Sequence, residues 1–150
     1  MKKLKELYHK LIHSHATPEE VAWGFAIGVF IAMTPTLGLH MILAIALCAV
    51  LKKNEVATVL GTWVVNPLTI FPCYWLAFKI GLFFLGRPLQ QDLTARAIKD
   101  IFHLGGKIIL PLWIGGIVLG LLSAIPSYFL VLKIYPFLKD RALKKLIHPK

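Results

Sequence analysis

The sequence predicts an all-α, polytopic integral membrane protein whose helices are broken at prolines, with a re-entrant segment, and flanked by amphipathic interfacial helices. Three observations predict it. Of its 150 residues 57% are apolar and 16% charged, with a mean hydropathy of +0.71, against about 45–50% and about 25% in soluble domains. The charge is also missing in blocks. Val21–Leu51, Val56–Phe78 and Ile108–Leu132 run 31, 23 and 25 residues without Lys, Arg, Asp or Glu, and a hydrocarbon core of about 30 Å takes about 20 apolar residues as helix. Finally, Thr-Pro and Asn-Pro pairs interrupt the first two blocks. Together these exclude an ordinary soluble domain, and disorder as well, which needs low hydrophobicity.

Residues 2–13 place Leu4, Leu7, Tyr8, Leu11 and Ile12 on one helical face with Lys2, Lys3, Lys5 and Lys10 mostly opposite, a pattern suited to an anionic headgroup layer. Thr17-Pro18-Glu19-Glu20 then opens the first membrane helix. A hydroxyl residue precedes a proline at the first helical position, and Glu20 completes a capping box with Thr17. The 31-residue block that follows would measure about 46 Å as one helix. That is too long for one crossing and too short for two crossings and a turn, so it must break. Thr34-Pro35-Thr36-Leu37-Gly38 repeats the hydroxyl-proline start signal, giving helices over 18–33 and 35–51. The signal recurs at Asn66-Pro67-Leu68-Thr69, which divides the second block into 56–65 and 67–85. With Glu55 at the surface, the short first piece carries Asn66 about 15 Å inward, near the bilayer midplane.

A last helix covers 107–132. Residues 92–103 and the tail, where Leu138, Ala142 and Leu146 back onto Arg141, Lys144 and Lys145, are amphipathic again. The organisation is one membrane domain over 1–150: an amphipathic N-terminal helix 1–16, a broken-helix core 17–86, an interfacial connector 87–106, a transmembrane helix 107–133 and a basic tail 134–150. A cleaved signal peptide does not fit, because twenty largely polar residues precede an apolar run longer than an h-region.

The net charge of +10 is concentrated in the polar segments, and the Lys/Arg bias of short loops sets orientation. The N-terminus and the tail both vote for the cytoplasm, which needs an even number of crossings. The count preferred here lets the first block enter and return at Pro35, the second cross with a break at Asn66-Pro67, and the third cross back. If the second block is also re-entrant, the 87–107 segment stays inside and the tail is exported.

The breaks are the candidate site. Non-helical backbone at membrane depth is tolerated only when buried in protein or lining a polar cavity, and paired discontinuous segments point to a transporter site, with helix N-termini facing an anion. The candidate binding residues are therefore Thr34, Pro35, Thr36, His40, Asn66, Pro67 and Thr69. Gly28 to Pro35 and Gly61 to Pro67 form a weak internal repeat. The alternative reading is a pair of prolines that only shape packing. His40 is the titratable side chain inside the first block, suited to proton coupling or to an interhelical hydrogen bond. Lys79 suits snorkelling.

Small faces at Gly24-x-x-x-Gly28 and Gly116-x-x-x-Gly120, with Gly61, predict close helix packing, within the chain or in a homodimer. Cys48 and Cys73 lie in apolar runs without a CxxC pattern and read as packing residues. His9, His13 and His15 lack a partnering Cys or acid at ligand spacing, so no metal site and no cofactor are expected. No catalytic motif is present, and the basic residues do not line a groove for nucleic acid. The expected partners are anionic lipid headgroups, with a second copy or a cell-envelope enzyme as further ones.

From Gly24 through Gly86 the sequence resembles a bacterial membrane family, domain of unknown function 2062. The matching residues are Gly28-Val29-Phe30, Pro35, Gly38-Leu39-His40, Leu43-Ala44, Leu47, Asn54 after a basic pair, Gly61-Thr62, Asn66-Pro67-Leu68-Thr69, Pro72 and Gly81. The resemblance implies a small multi-span protein of the bacterial inner membrane, in some members attached to glycosyltransferase-like domains. It implies weight for Pro35, His40, Asn54, Asn66, Pro67 and Thr69, and no established activity. The sequence thus leads to two functional expectations. One is translocation of a small or lipid-linked anionic solute at the two breaks; the other is a non-catalytic membrane anchor or scaffold for cell-envelope enzymes.

Overall fold

The computed structural model describes residues 6, 16–36, 38–86 and 101–147, with side-chain surroundings in the last stretch given for 108–141 and 144. Apart from Glu6, the expected amphipathic segment at 2–13, with His9, His13 and His15, lies outside the described residues, as do residues 92–100 of the one expected at 92–103. Among the described residues the fold is all helical, with α1 (Pro18–Met33), α2 (His40–Val50), α3 (Glu55–Thr62), α4 (Ile70–Phe84) and α5 (Ile101–Ile147).

α1 starts where its capping chemistry dictates. The Thr17 hydroxyl accepts the Glu20 N–H at 3.2 Å and the Glu20 carboxylate accepts the Thr17 N–H at 2.9 Å, with Pro18 at the first helical position. Its end is set by Thr34, held extended at ψ 145°, as the residue before a proline prefers. α2 does not begin at Pro35 as expected. A turn through Gly38, at φ +81°, delays the helix to His40, whose N–H donates to the Thr36 carbonyl at 2.9 Å. α2 ends in a Schellman arrangement, with the Lys53 N–H on the Cys48 carbonyl, the Lys52 N–H on that of Ala49, and Lys52 itself at φ +52°.

Asn54 caps α3 through the Ala57 N–H at 2.8 Å. α3 stops at Thr62 rather than 65, and α4 begins at Ile70 rather than Pro67. The expected helix 107–132 and the separate tail are instead one 47-residue helix with Pro111, Pro126 and Pro136 inside it. Charge marks where a helix leaves an apolar environment and does not by itself end the helix, and the backbone continues past Lys133 and through Pro136.

α5 is the spine. Gly116 lies against Met33 and Thr34, Gly120 against Phe30, and the Trp23 ring against that of Tyr128 at 5.0 Å, so α1 and α5 are antiparallel. Gly81 abuts Pro111 and Gly115 abuts Ala77, which sets α4 antiparallel to the first half of α5. α1 and α4 therefore follow one another along α5, pointing the same way. Between them the chain makes an excursion. α2 returns alongside α1, the Asn54 N–H donates to the Glu20 carbonyl at 3.2 Å, and α3 runs up α1 again from Gly24 to Gly28. At this α1–α3 crossing a Cβ on Gly28 or Gly61 would overlap backbone of the facing helix. A small core of Val21, Ala57 and Tyr135 closes the end near Thr17.

Many large apolar side chains point outward, from Val50 and Leu68 to Phe71, Phe83 and Leu122. Within α5, Ile108–Arg141 is the stretch among the described residues that is long and apolar enough to cross a membrane, while α2 and α4 are apolar but shorter.

Candidate functional site at the two helix breaks

The first break is buried. Thr34 is 4% exposed, and its hydroxyl donates backward to the Ile31 carbonyl at 2.7 Å, with the Thr36 hydroxyl 3.4 Å away. Thr34 thus serves the C-terminal end of α1 and does not cap the following helix, contrary to expectation. Pro35 and Thr36 are half-buried, and the Thr36 carbonyl accepts from Leu39 and His40. Half-buried His40 is the first residue of α2.

The second break is a self-contained turn. The Asn66 side-chain oxygen accepts the N–H groups of Leu68 at 2.9 Å and Thr69 at 3.2 Å, while the Thr69 hydroxyl accepts the Asn66 N–H at 2.9 Å and donates to the Val64 carbonyl at 2.7 Å. An asparagine followed by proline suits such a turn, since its side chain replaces a backbone acceptor. Pro67 is exposed and sits inside this turn, not at the first position of α4.

Tyr74 links α4 to the first break. Its hydroxyl donates to the Thr34 carbonyl at 3.1 Å, and because helical side chains lean toward the N-terminus, this bond sets Thr34 beside the first turn of α4. Against the same level of α5, Gly115 faces Ala77 of α4 while Gly116 faces Met33, Thr34 and Pro35. Two adjacent glycines thus receive the end of α1 and the middle of α4. The first break is thus tied to α4 through Tyr74 and to α5 through Gly116. Among the described residues, the polar side chains of the two breaks do not hydrogen-bond across to each other, and no buried side-chain polar atom lacks a partner.

Tyr74 and Gly115 are the residues that sequence reasoning missed, and Gly81 entered it only through the family resemblance. A tyrosine in an apolar run is a usable signal, because a buried hydroxyl needs a partner. Gly24, Gly28, Gly61, Gly116 and Gly120 are all buried against other segments of the same chain, so those faces are occupied internally. Lys79 lies over the Trp75 ring, its ammonium 3.7 Å from the centroid.

The fold and these breaks define an all-helical protein with a membrane-length apolar helix and interruptions packed against it. The chain belongs to the bacterial family described as "uncharacterized protein conserved in bacteria", domain of unknown function 2062, whose model matches residues 1–144. Neither the curated proteins nor the solved structures give a match.

Proposed function

We propose that this is a multi-pass protein of the bacterial inner membrane that translocates a small or lipid-linked anionic solute past its two helix breaks. In this reading α1 and α2 form a re-entrant hairpin, α3 and α4 cross as one interrupted segment, and α5 crosses back, leaving both ends in the cytoplasm. The outward-facing apolar side chains support the embedding. The observation that carries the functional reading is the junction of Thr34, Tyr74 and the Gly115-Gly116 pair. It brings the end of α1 and the body of α4 against adjacent residues of α5, and discontinuous segments packed together are the arrangement that places transporter sites.

Asn66 and Thr69 supply hydrogen bonds from one side, Thr34 and Thr36 hydroxyls from the other, and His40 a proton. Because these hydroxyls and the asparagine already bond within the chain, solute binding exchanges internal bonds for bonds to the solute. The same saturation favours a second reading, a non-catalytic anchor or scaffold for cell-envelope enzymes, in which the turns serve packing alone.

Solvent access at position 66 separates the two. An Asn66→Cys variant in a background with Cys48 and Cys73 replaced reacts with small water-soluble thiol reagents if the turn lines an aqueous path. Complete protection, together with an Asn66→Ala variant that restores the lipid and solute profile of a deletion strain, refutes translocation and leaves the scaffold. Reporter fusions after Asp92 and after Lys150 test the crossings; a tail found outside overturns the topology.

A further inference from the structure

We propose that the groove between α1 and α5 binds one anionic phospholipid of the bilayer, with an acyl chain along the groove and the phosphate at Lys133. The inference rests on the membrane embedding and is independent of translocation. The groove has a volume of about 460 Å³ and a wall of apolar atoms only. Ile27 and Phe30 of α1 face Leu121, Ile125 and Phe129 of α5, and the small Ala26 and Ala124 leave the space between them. Gly120 beneath the Phe30 ring closes the deep end.

The outer end has the chemistry of a headgroup level. The Trp23 and Tyr128 rings, 5.0 Å apart, are the amphipathic aromatics that settle at a membrane–water interface. Ile125, Phe129 and Lys133 follow at i+4 spacing in one row of α5, and side chains on a helix incline toward the preceding turn, which from Lys133 is the turn of the groove-lining Phe129. Lys133 is exposed. The acidic groups of α1's first turn are Glu19 and Glu20, and Glu20 is engaged by the Thr17 N–H. Read along α5 from Lys133 inward, the order is cation, aromatic pair, apolar trough, which is the order of an anionic lipid from head to tail. A second copy fits less well, because a helix is about 10–12 Å across and the floor is already closed where Gly120 meets Phe30.

Native mass spectrometry of the full chain from nanodiscs of equal phosphatidylglycerol and phosphatidylcholine tests this. The expected result is one retained lipid with phosphatidylglycerol preferred. Lys133→Gln lowers that preference about fivefold, and Ala124→Phe, which fills the trough, removes lipid of both kinds. Should Ala124→Phe lose its helical circular dichroism, Ile125→Trp obstructs the same groove from its rim. Equal retention of both lipids by the unmodified chain, or retention unaffected by filling the groove, overturns the site. A chain that does not enter the nanodisc overturns the membrane reading and the site with it; one that enters but holds no lipid overturns the site alone.

Discussion

The two breaks are written alike and built in opposite senses. Thr34-Pro35 ends a helix: its hydroxyl turns back to the Ile31 carbonyl, it is buried, and Tyr74 reaches it from 40 residues away. Asn66-Pro67 opens one: its side chain gathers the N–H groups ahead of α4, it is half-exposed, and its side-chain bonds stay within residues 63–69. A polar residue before proline therefore signals an interruption without saying which helix end it serves. What decides is the neighbourhood. A buried helix end needs donors for its free carbonyls, whereas a half-exposed turn can close on itself before the next helix begins.

The comparison can be broken experimentally, starting with the largest effect. Gly116→Leu brings a side chain against the first break, where even a Cβ would lie 2.7 Å from the Met33 carbonyl oxygen, and should destabilise by more than about 3 kcal/mol. Its unfolding midpoint in bicelles under added denaturing detergent measures this, and an unchanged midpoint would remove α5 from the junction. Asn66→Ala strips one acceptor from two N–H groups in a half-exposed turn and should cost about 1–2 kcal/mol by the same assay. Thr34→Val keeps the shape and the Thr34 N–H bond to Ile31, so its loss is smaller, about 1 kcal/mol. A cost above that of Asn66→Ala would make the buried hydroxyl, not the turn, the more important of the two. Smallest is Tyr74→Phe, about 0.6 kcal/mol for one interhelical hydrogen bond in a membrane. Amide exchange at Cys73 and Tyr74 should rise in that variant if the bond holds the start of α4 in place.

Much of the fold was legible because it rests on local chemistry. The capping box at Thr17 and Glu20 and the interruptions in both apolar blocks follow from residue types a few positions apart. The exact starts of α2 and α4 did not follow. At Pro35 the start signal was outweighed by the demand of α1's end for the Thr34 hydroxyl, and Gly38 at φ +81° was the overlooked sign of a turn. At Pro67 the Asn66 and Thr69 side chains close a turn that postpones the helix to Ile70. The continuity of α5 is hidden because hydropathy drops at Lys133, which separates an apolar helix from an amphipathic one in sequence where the backbone is a single helix.

The candidate residues were legible as two clusters, but the link from the first to α4 was not. Tyr74 and Thr34 are joined only by tertiary folding, and a search for glycines four apart finds Gly116 with Gly120 while passing over Gly115. Neighbouring positions on a helix point about 100° apart, so this one pair can receive two different partners.

The length of α5 has a mechanical meaning. Forty-seven residues at about 1.5 Å each make a rod of about 70 Å, more than twice a hydrocarbon thickness of about 30 Å. In a bilayer the rod would stand proud of the surface as a mast, carrying Lys139, Arg141 and Lys144 away from the point where it emerges. Since α1 and α4 grip the same shaft at its middle, any tilt there would be magnified at the tip.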